Sequence, residues 1–192
     1  MSFLTEPEVE ESLIEQFRSL GYGYATDSEI GPDGMEPQRE THGDVILLPR
    51  LTAAVKRLNP SIPEDALADA IRKVLQTETP SLITENRRIH KLLTEGVPVE
   101  FDGPDGTIRG GSVRLIDFDH PDNNDWLATN QYTVIEAGMN RRPDVVVFVN
   151  GLPLGIGELK NPGDEHATLA GAYNQLQTYQ AQIGSLSAPT PS

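Results

Sequence analysis

Three charged residues, Asp144, Glu158 and Lys160, stand at the ends of two apolar segments of the sequence. Segment 145–149 is a β-branched and aromatic run typical of a buried strand, and segment 154–160 predicts the strand that returns beside it. Charges on a buried sheet are costly unless they are paired or bind a metal ion. Two carboxylates suit magnesium or manganese, and a neighbouring amine can orient or deprotonate a water or stabilise charge on a phosphate.

The loop between these strands decides whether the two carboxylates meet. With a two-residue loop, Asp144 would lie opposite Gly157, and the carboxylates would point to opposite faces of the sheet. A three-residue loop, 150–152, places Asp144 opposite Glu158, with the Cβ atoms about 5 Å apart. We predict the three-residue loop, because Pro153 lacks an N–H and suits the edge of a turn. The alternative for the charged trio is a salt bridge at a sheet edge.

The order of these motifs resembles a known nuclease family. Pro143-Asp144, followed after thirteen residues by Glu158-Leu159-Lys160, resembles the PD-(D/E)XK nuclease motif. The segments Val-Asn-Gly-Leu-Pro-Leu and Glu-Leu-Lys-Asn-Pro resemble the restriction (motor, R) subunit of type I restriction–modification enzymes. Gln175-Leu-Gln-Thr-Tyr179 resembles the Gln-x-x-x-Tyr motif that follows the lysine in that family. The resemblance covers 5–183 and implies a type I site-specific deoxyribonuclease that cleaves double-stranded DNA.

The resemblance also implies a role for each site residue. Asp144 and Glu158 would hold Mg²⁺, for which Mn²⁺ can substitute, with help from the Leu159 carbonyl. Lys160 would orient or activate the attacking water. Gln175 and Tyr179, four residues apart on one flank of a helix, would support the site by hydrogen bonds.

Two further pairs of residues are candidates near this site. In the family an acidic residue of the first helix approaches the metal. The family pattern at this place is Thr/Ser-Glu-x-x-x-Glu, which makes Glu10 the first candidate and Glu6 the second. The alternative is that both lie at the margin of the apolar stripe and reach solvent. Arg141 and Arg142 face a DNA phosphate in one interpretation and form a solvated loop in the other.

Composition limits the partners of the chain. A formal net charge of −14 opposes DNA binding, which depends on neutralising phosphates, so other domains or subunits are expected to deliver the duplex. The resemblance names these as methyltransferase and specificity subunits, with an ATP-driven motor. This chain has no P-loop, so it does not bind ATP in that way. Without cysteine, a signal peptide or a membrane-length apolar run, we expect a cytoplasmic protein.

We predict an α/β fold, a restriction-endonuclease-like mixed β-sheet flanked by the first and last helices. The endonuclease-like domain spans 1–183, with a helical insertion at 44–96 and a catalytic core at 126–183; residues 184–192 form a disordered tail. The last core strand of the family is expected to be missing. The exposed sheet edge would be covered by the tail or by self-association with a second copy.

Local patterns predict individual elements. A capping box, Thr5-x-x-Glu8, opens a helix that buries Leu20, and Ser61-x-x-Glu64 opens another. Further helices are predicted at 45–58, 82–95 and 167–183, the last burying Tyr173. Strands are predicted at 97–101, 111–118 and 126–137, while 22–38 forms a loop or a short strand and the four aspartates of 117–125 form a solvated acidic loop.

Two other functions remain open. An inactive docking module that only contacts partner subunits would explain the negative charge, and metal binding separates it from an enzyme. A repair or junction-resolving nuclease of the same fold is the second alternative. The Asn-Gly-Leu-Pro-Leu segment and the long helical insertion argue against it.

Overall fold

The computed structural model describes residues 5–136, 138–159 and 169–182 of the 192-residue chain, and for part of 169–182 it describes the backbone alone. Its helices are α1 (Glu6–Ser19), α2 (Asp27–Ile30), α3 (Leu48–Leu58), α4 (Glu64–Leu75), α5 (Leu82–Glu95) and α6 (Leu169–Gln182). Its strands are β1 (Gly23–Tyr24), β2 (Val97–Asp102), β3 (Ile108–Val113), β4 (Trp126–Asn130), β5 (Val134–Glu136), β6 (Met139–Arg141), β7 (Val145–Val149) and β8 (Leu152–Gly157). Lys160, the loop at 162–166 and the tail at 184–192 lie outside the described residues.

A mixed four-stranded sheet forms the centre of the fold, in the order β1-β4-β7-β8. β1 runs parallel to β4, whereas β4, β7 and β8 are antiparallel neighbours. The predicted α/β class and the mixed sheet flanked by helices are therefore confirmed. Within the described part of the chain, β8 is one edge of this sheet, and what covers that edge stays a prediction.

The alternating side chains of β7 pack on both faces of the sheet, as expected for a central strand. On one face, Val145 and Ala128 form a small core with Ile14 of α1. On the other face, Val146 and Phe148 pack with a second set of apolar residues, which includes Leu47, Leu127, Tyr132 and Val134. Helix α1 is thus held against the face of the sheet that carries Val145, the residue after Asp144.

The block at 44–96 forms a third core with the β2–β3 hairpin, which is separate from the central sheet. Leu51, Val55 and Ala70 are fully buried there, and Val149 and Leu152 join them from the turn end of β7–β8. The apolar stripes of this block therefore serve packing.

The turn between β7 and β8 differs from the prediction. Only Asn150 and Gly151 form the loop, because both adopt positive φ angles, of 54° and 80°, that suit a tight hairpin turn. An irregularity between Val147 and Phe148 then shifts the register by one residue, so that Val145 pairs with Gly157. The predicted three-residue loop is wrong, but turn and bulge together produce the register that it was meant to explain.

Local capping patterns predicted some helix ends correctly and others wrongly. The capping box of Thr5 and Glu8 is confirmed, and α5 ends at Gly96 with φ +84°. The Ser61 cap is wrong, because Pro63 is the residue that precedes α4. Two burial predictions are also wrong, since Leu20 is 73% exposed and Tyr173 62% exposed.

Three segments have a different structure from the predicted one. Segment 22–38 contains a short strand, β1, as predicted, but also the short helix α2, which a second capping box opens at Thr26. The strand predicted at 111–118 lies earlier in the chain: it begins at Ile108 and ends at Val113. The strand predicted at 126–137 breaks at Gln131, where a φ of 53° interrupts the extended backbone.

Candidate active site

The open end of the β7–β8 hairpin brings Asp144 and Glu158 together. Val145 pairs with Gly157, so the next position of the same register sets Asp144 against Glu158. Both residues are half-buried. The backbone N–H of Leu159 donates a hydrogen bond of 2.7 Å to Oδ2 of Asp144, which fixes this carboxylate against the segment that carries Glu158.

The carboxylate of Asp144 keeps acceptor capacity after this contact. A carboxylate has about four lone-pair positions, and the bond from Leu159 uses one of them. Mg²⁺ typically takes one or two carboxylates and keeps several waters, so two half-exposed carboxylates with a nearby backbone carbonyl form a suitable donor set. Among the described residues no group of three or more His, Cys, Asp or Glu side chains could hold a metal ion.

On α1, Glu6 is exposed, whereas Glu10 is half-buried and contacts Asn130 and Gln131, at the end of β4 beside Asp144. Oε1 of Glu10 accepts a 2.7 Å hydrogen bond from Nδ2 of Asn130, and its Oε2 accepts a 2.8 Å bond from Nε2 of Gln131. The backbone N–H of Gln131 in turn donates to the carbonyl of Asp144 at 2.9 Å. Glu10 is thus connected to the Asp144 backbone through a single residue, which favours Glu10 over Glu6 as the first-helix candidate.

The remaining predicted site residues are only partly described. Lys160 lies outside the described residues, as does the side chain of Tyr179. Gln175 is half-buried on α6, and the backbone of this helix carries both Gln175 and Tyr179, as the sequence predicts. The roles of these three residues stay predictions.

Most of the local clusters of basic residues are engaged by acidic neighbours. Arg88 bridges to the buried Glu85, and similar contacts join Lys91 to Glu95, Arg109 to Asp105 and Arg114 to Asp117. These pairs reduce the positive charge that each cluster offers to a phosphate.

Arg142 differs from these basic residues, because it is exposed and lines a cleft of about 530 Å³ next to Asn130 and Gln131. Arg141 is half-buried and donates to the carbonyl of Asn140.

The sequence-based search missed Asn130 and Gln131. The prediction placed both residues in one continuous strand at 126–137, where two adjacent amides do not indicate a functional site. The available signal was chemical, because consecutive polar residues inside an otherwise apolar strand need partners of their own when they are buried. Those partners, Glu10 and Asp144, are remote in sequence, so the pattern alone could not identify them.

The predicted solvated acidic loop is also wrong for two of its four aspartates, because Asp117 is buried and Asp125 is half-buried and bound by Arg50. Asp117 is only 4% exposed and accepts hydrogen bonds from the backbone N–H groups of Asp119 and His120 and from the side chain of Asn123. It organises the loop that leads into β4. This carboxylate is therefore structural and lies at the opposite end of the hairpin from Asp144.

The mixed sheet with flanking helices and a carboxylate pair at the end of its central hairpin defines a restriction-endonuclease-like α/β protein. A family model of the type I restriction enzyme R protein N terminus matches residues 3–190. The chain belongs to this family.

Two relatives show how much of a longer protein the chain represents. It is 35% identical over 184 residues to the type I restriction enzyme HindI endonuclease subunit of Haemophilus influenzae. It is 34% identical over 181 residues to the putative type I restriction enzyme MjaIXP endonuclease subunit of Methanocaldococcus jannaschii. These matches cover 95% and 93% of the chain but only 17% of each relative's length. None of the described helices is long and apolar enough to cross a membrane.

Proposed function

We propose that this chain is the metal-dependent nuclease region of a type I restriction enzyme R subunit and that it hydrolyses phosphodiester bonds of double-stranded DNA. The chain is the N-terminal region of such a subunit by family. The observation that carries the finer proposal is the contact between Leu159 and Asp144, which fixes the Asp144 carboxylate against the segment that carries Glu158. A repair or junction-resolving nuclease is set aside because of the family match.

Each residue has a defined task in this proposal. Asp144 and Glu158, with the Leu159 carbonyl, would hold Mg²⁺ or Mn²⁺. The ion, when bound, supplies Lewis-acid stabilisation of the negative charge on the phosphate. Lys160 orients the attacking water and takes part in its deprotonation.

The surrounding residues support this centre. Glu10 adds negative charge from α1. Gln175 and Tyr179 hold the phosphate or the lysine by hydrogen bonds, and Arg142 contacts a DNA phosphate from the rim of the cleft, with Arg141 beside it.

The rest of the assembly supplies what this chain lacks. With a net charge of −14, the isolated chain should bind DNA weakly, since each phosphate contact depends on a cation. We propose that an ATP-driven motor in the same R subunit, together with methyltransferase and specificity subunits, delivers the duplex. Because the substrate would be DNA, we expect this complex in the cytoplasm.

A docking module without catalysis is the second candidate. The strongly negative charge favours it, because an acidic surface suits contact with basic protein partners better than contact with DNA. The two candidates differ in one measurable property, since only the nuclease needs a preformed cation site at Asp144 and Glu158.

Calorimetric titration of Mn²⁺ into this chain tests the proposal. We expect one binding event in the parent protein, its loss in Asp144→Ala and its retention in Asp119→Ala, which removes an exposed carboxylate of the acidic loop. Urea unfolding of each variant verifies that it is folded. Equal binding by the parent protein and Asp144→Ala would assign the metal to the acidic surface, and no binding by the parent protein would favour the docking module.

A further inference from the structure

We infer that Asn130 and Gln131 are positioning residues of the active site: their two side-chain amides hold the Glu10 carboxylate in a fixed relation to Asp144. This inference rests on the proposed function. It adds two residues that the motif does not contain and gives each a task that can be measured separately from folding.

The geometry of the contact is that of a clamp. Asn130 donates to one oxygen of Glu10 at 2.7 Å and Gln131 donates to the other at 2.8 Å. With both oxygens held, the carboxylate cannot rotate about its terminal torsion without losing a hydrogen bond. Hydrogen bonds from neighbouring groups are the usual way in which proteins orient carboxylates around a metal centre.

The backbone connects the clamp to Asp144. The Gln131 N–H donates to the Asp144 carbonyl at 2.9 Å, and Asn130 pairs with Val145 in the β4–β7 ladder. Gln131 has a φ of 53°, in the left-handed region that is unfavourable for a residue with a Cβ. The surrounding structure thus maintains a strained residue at the position where α1, β4 and β7 meet, and such strain tends to be found at functional sites.

Tyr24 determines which way the Asn130 amide points. Its hydroxyl donates a 2.9 Å hydrogen bond to Oδ1 of Asn130, so the NH₂ group must face Glu10. Partial burial raises the pKa of Tyr24 above its ordinary value, which keeps the hydroxyl protonated as a donor. The guanidinium of Arg18 lies 4.4 Å from the centre of the Tyr24 ring and packs against it.

The chemistry of the clamp suits a carboxylate that has to attract a cation. Elsewhere in the described structure, half-buried aspartates are held by guanidinium groups, as Asp27 is by Arg39 and Asp125 is by Arg50. Those contacts neutralise the carboxylate. The groups that hold Glu10 are neutral amides, which fix its position and leave its negative charge intact.

Two substitutions at Gln131 separate positioning from a structural role. Gln131→Gly removes the amide and relieves the positive φ, so its free energy of unfolding should equal or exceed that of the parent protein. Gln131→Met removes the amide and keeps the length of the side chain. We expect both variants to bind Mn²⁺ more weakly, on the order of tenfold, in calorimetric titration of the full chain. A residue that only shaped the turn would not change metal affinity when glycine replaces it.

A double-mutant cycle tests whether Gln131 acts through Glu10. Glu10→Gln should weaken Mn²⁺ binding, and Gln131→Gly should have little further effect in that background, because the carboxylate that it positions has lost its charge. Glu11→Gln, an exposed residue of the same helix, is the control and should bind as the parent protein does. Independent, additive effects of the two substitutions would overturn the inference.

The outcomes distinguish this inference from the proposed function. Suppose the parent protein binds Mn²⁺ and Asp144→Ala does not, while both Gln131 variants bind normally. The metal site would then stand and the positioning role would be wrong. If the parent protein binds no Mn²⁺, both the metal site and the positioning role are wrong.

Discussion

The two ends of the β7–β8 hairpin use polar side chains in opposite ways. At the turn, Asn150 is fully buried and all its side-chain hydrogen-bonding groups are engaged: it donates to the Leu115 carbonyl and to Asn124, and it accepts from the Asp125 N–H. At the open end, Asp144 and Glu158 are half-buried, and the Asp144 carboxylate retains acceptor capacity after its bond from Leu159. A buried turn must satisfy its polar groups inside the protein, whereas half-exposed carboxylates can serve a ligand.

The turn end determines the geometry of the open end. A two-residue turn alone would place Asp144 opposite Gly157 and direct the two carboxylates to different faces. The bulge beside Val147 corrects the register by one residue, so that the carboxylates share a face.

The largest effect is expected from a methyl group at the turn. In Gly151→Ala the new Cβ would lie 2.5 Å from the Leu47 carbonyl oxygen and 2.8 Å from the Leu51 nitrogen, at a φ of 80°. We expect a loss of about 3 kcal/mol in the free energy of unfolding, measured with urea. Gly106→Ala is the matched control, because Gly106 has a φ of 74° but a Cβ added there would meet no atom within 4 Å. It should lose only about 1–2 kcal/mol. Equal losses would mean that backbone conformation, and not the crowded interior, dominates at the turn.

The open end should contribute to stability through its ligand. Asp144→Asn keeps an oxygen that can accept from Leu159, so without metal we expect its unfolding free energy to lie within about 1 kcal/mol of the parent protein. At a Mn²⁺ concentration about 100 times the Kd, the parent protein should gain about 2.7 kcal/mol, and Asp144→Asn should gain nothing. Urea unfolding with Mn²⁺ and with EDTA measures both values. The same gain in unfolding free energy in both proteins would mean that the metal does not bind at Asp144.

The sequence predicted those parts of the molecule whose causes are local. The α5 helix ends at Gly96 because that residue adopts a φ of 84°, and α1 begins at its capping box. The β-branched run of β7 predicted a central strand. The register that sets Asp144 against Glu158 was predicted from a three-residue loop, which is wrong; the bulge beside Val147, which no local pattern indicated, produces that register.

The parts that could not be predicted depend on remote partners. Asn150 forms hydrogen bonds with Leu115, Asn124 and Asp125. No sequence pattern near the Asn-Gly turn predicts that this turn is buried. Gln131 breaks a strand because its side chain reaches Glu10. Both cases require knowledge of which segments become neighbours in space, which a reading of local periodicity does not supply.

The smallest expected effect concerns Asp117, the buried carboxylate at the turn end. The hydrogen bond from the Asn123 side chain, with those from the backbone of His120 and Asp119 and the nearby Arg114, lowers the pKa of Asp117 below its ordinary value of 3.8, although burial acts in the opposite direction. A lowered pKa in the folded state means that the stabilisation is present above about pH 4. It is lost as the pH falls through the folded-state pKa.

Comparison of the parent protein with Asp117→Asn isolates this contribution, because all other carboxylates are common to both. The difference in unfolding free energy should be constant from about pH 7 to about pH 5 and should shrink below about pH 4, where the parent protein also loses the charge of Asp117. Asp119→Asn, at an exposed neighbour, is the control and should show no such decrease. A difference that stays constant down to the acid limit of folding would mean that Asp117 stabilises the turn end by shape and neutral hydrogen bonds. The contrast with the open end would then lie in burial alone and not in the use of charge.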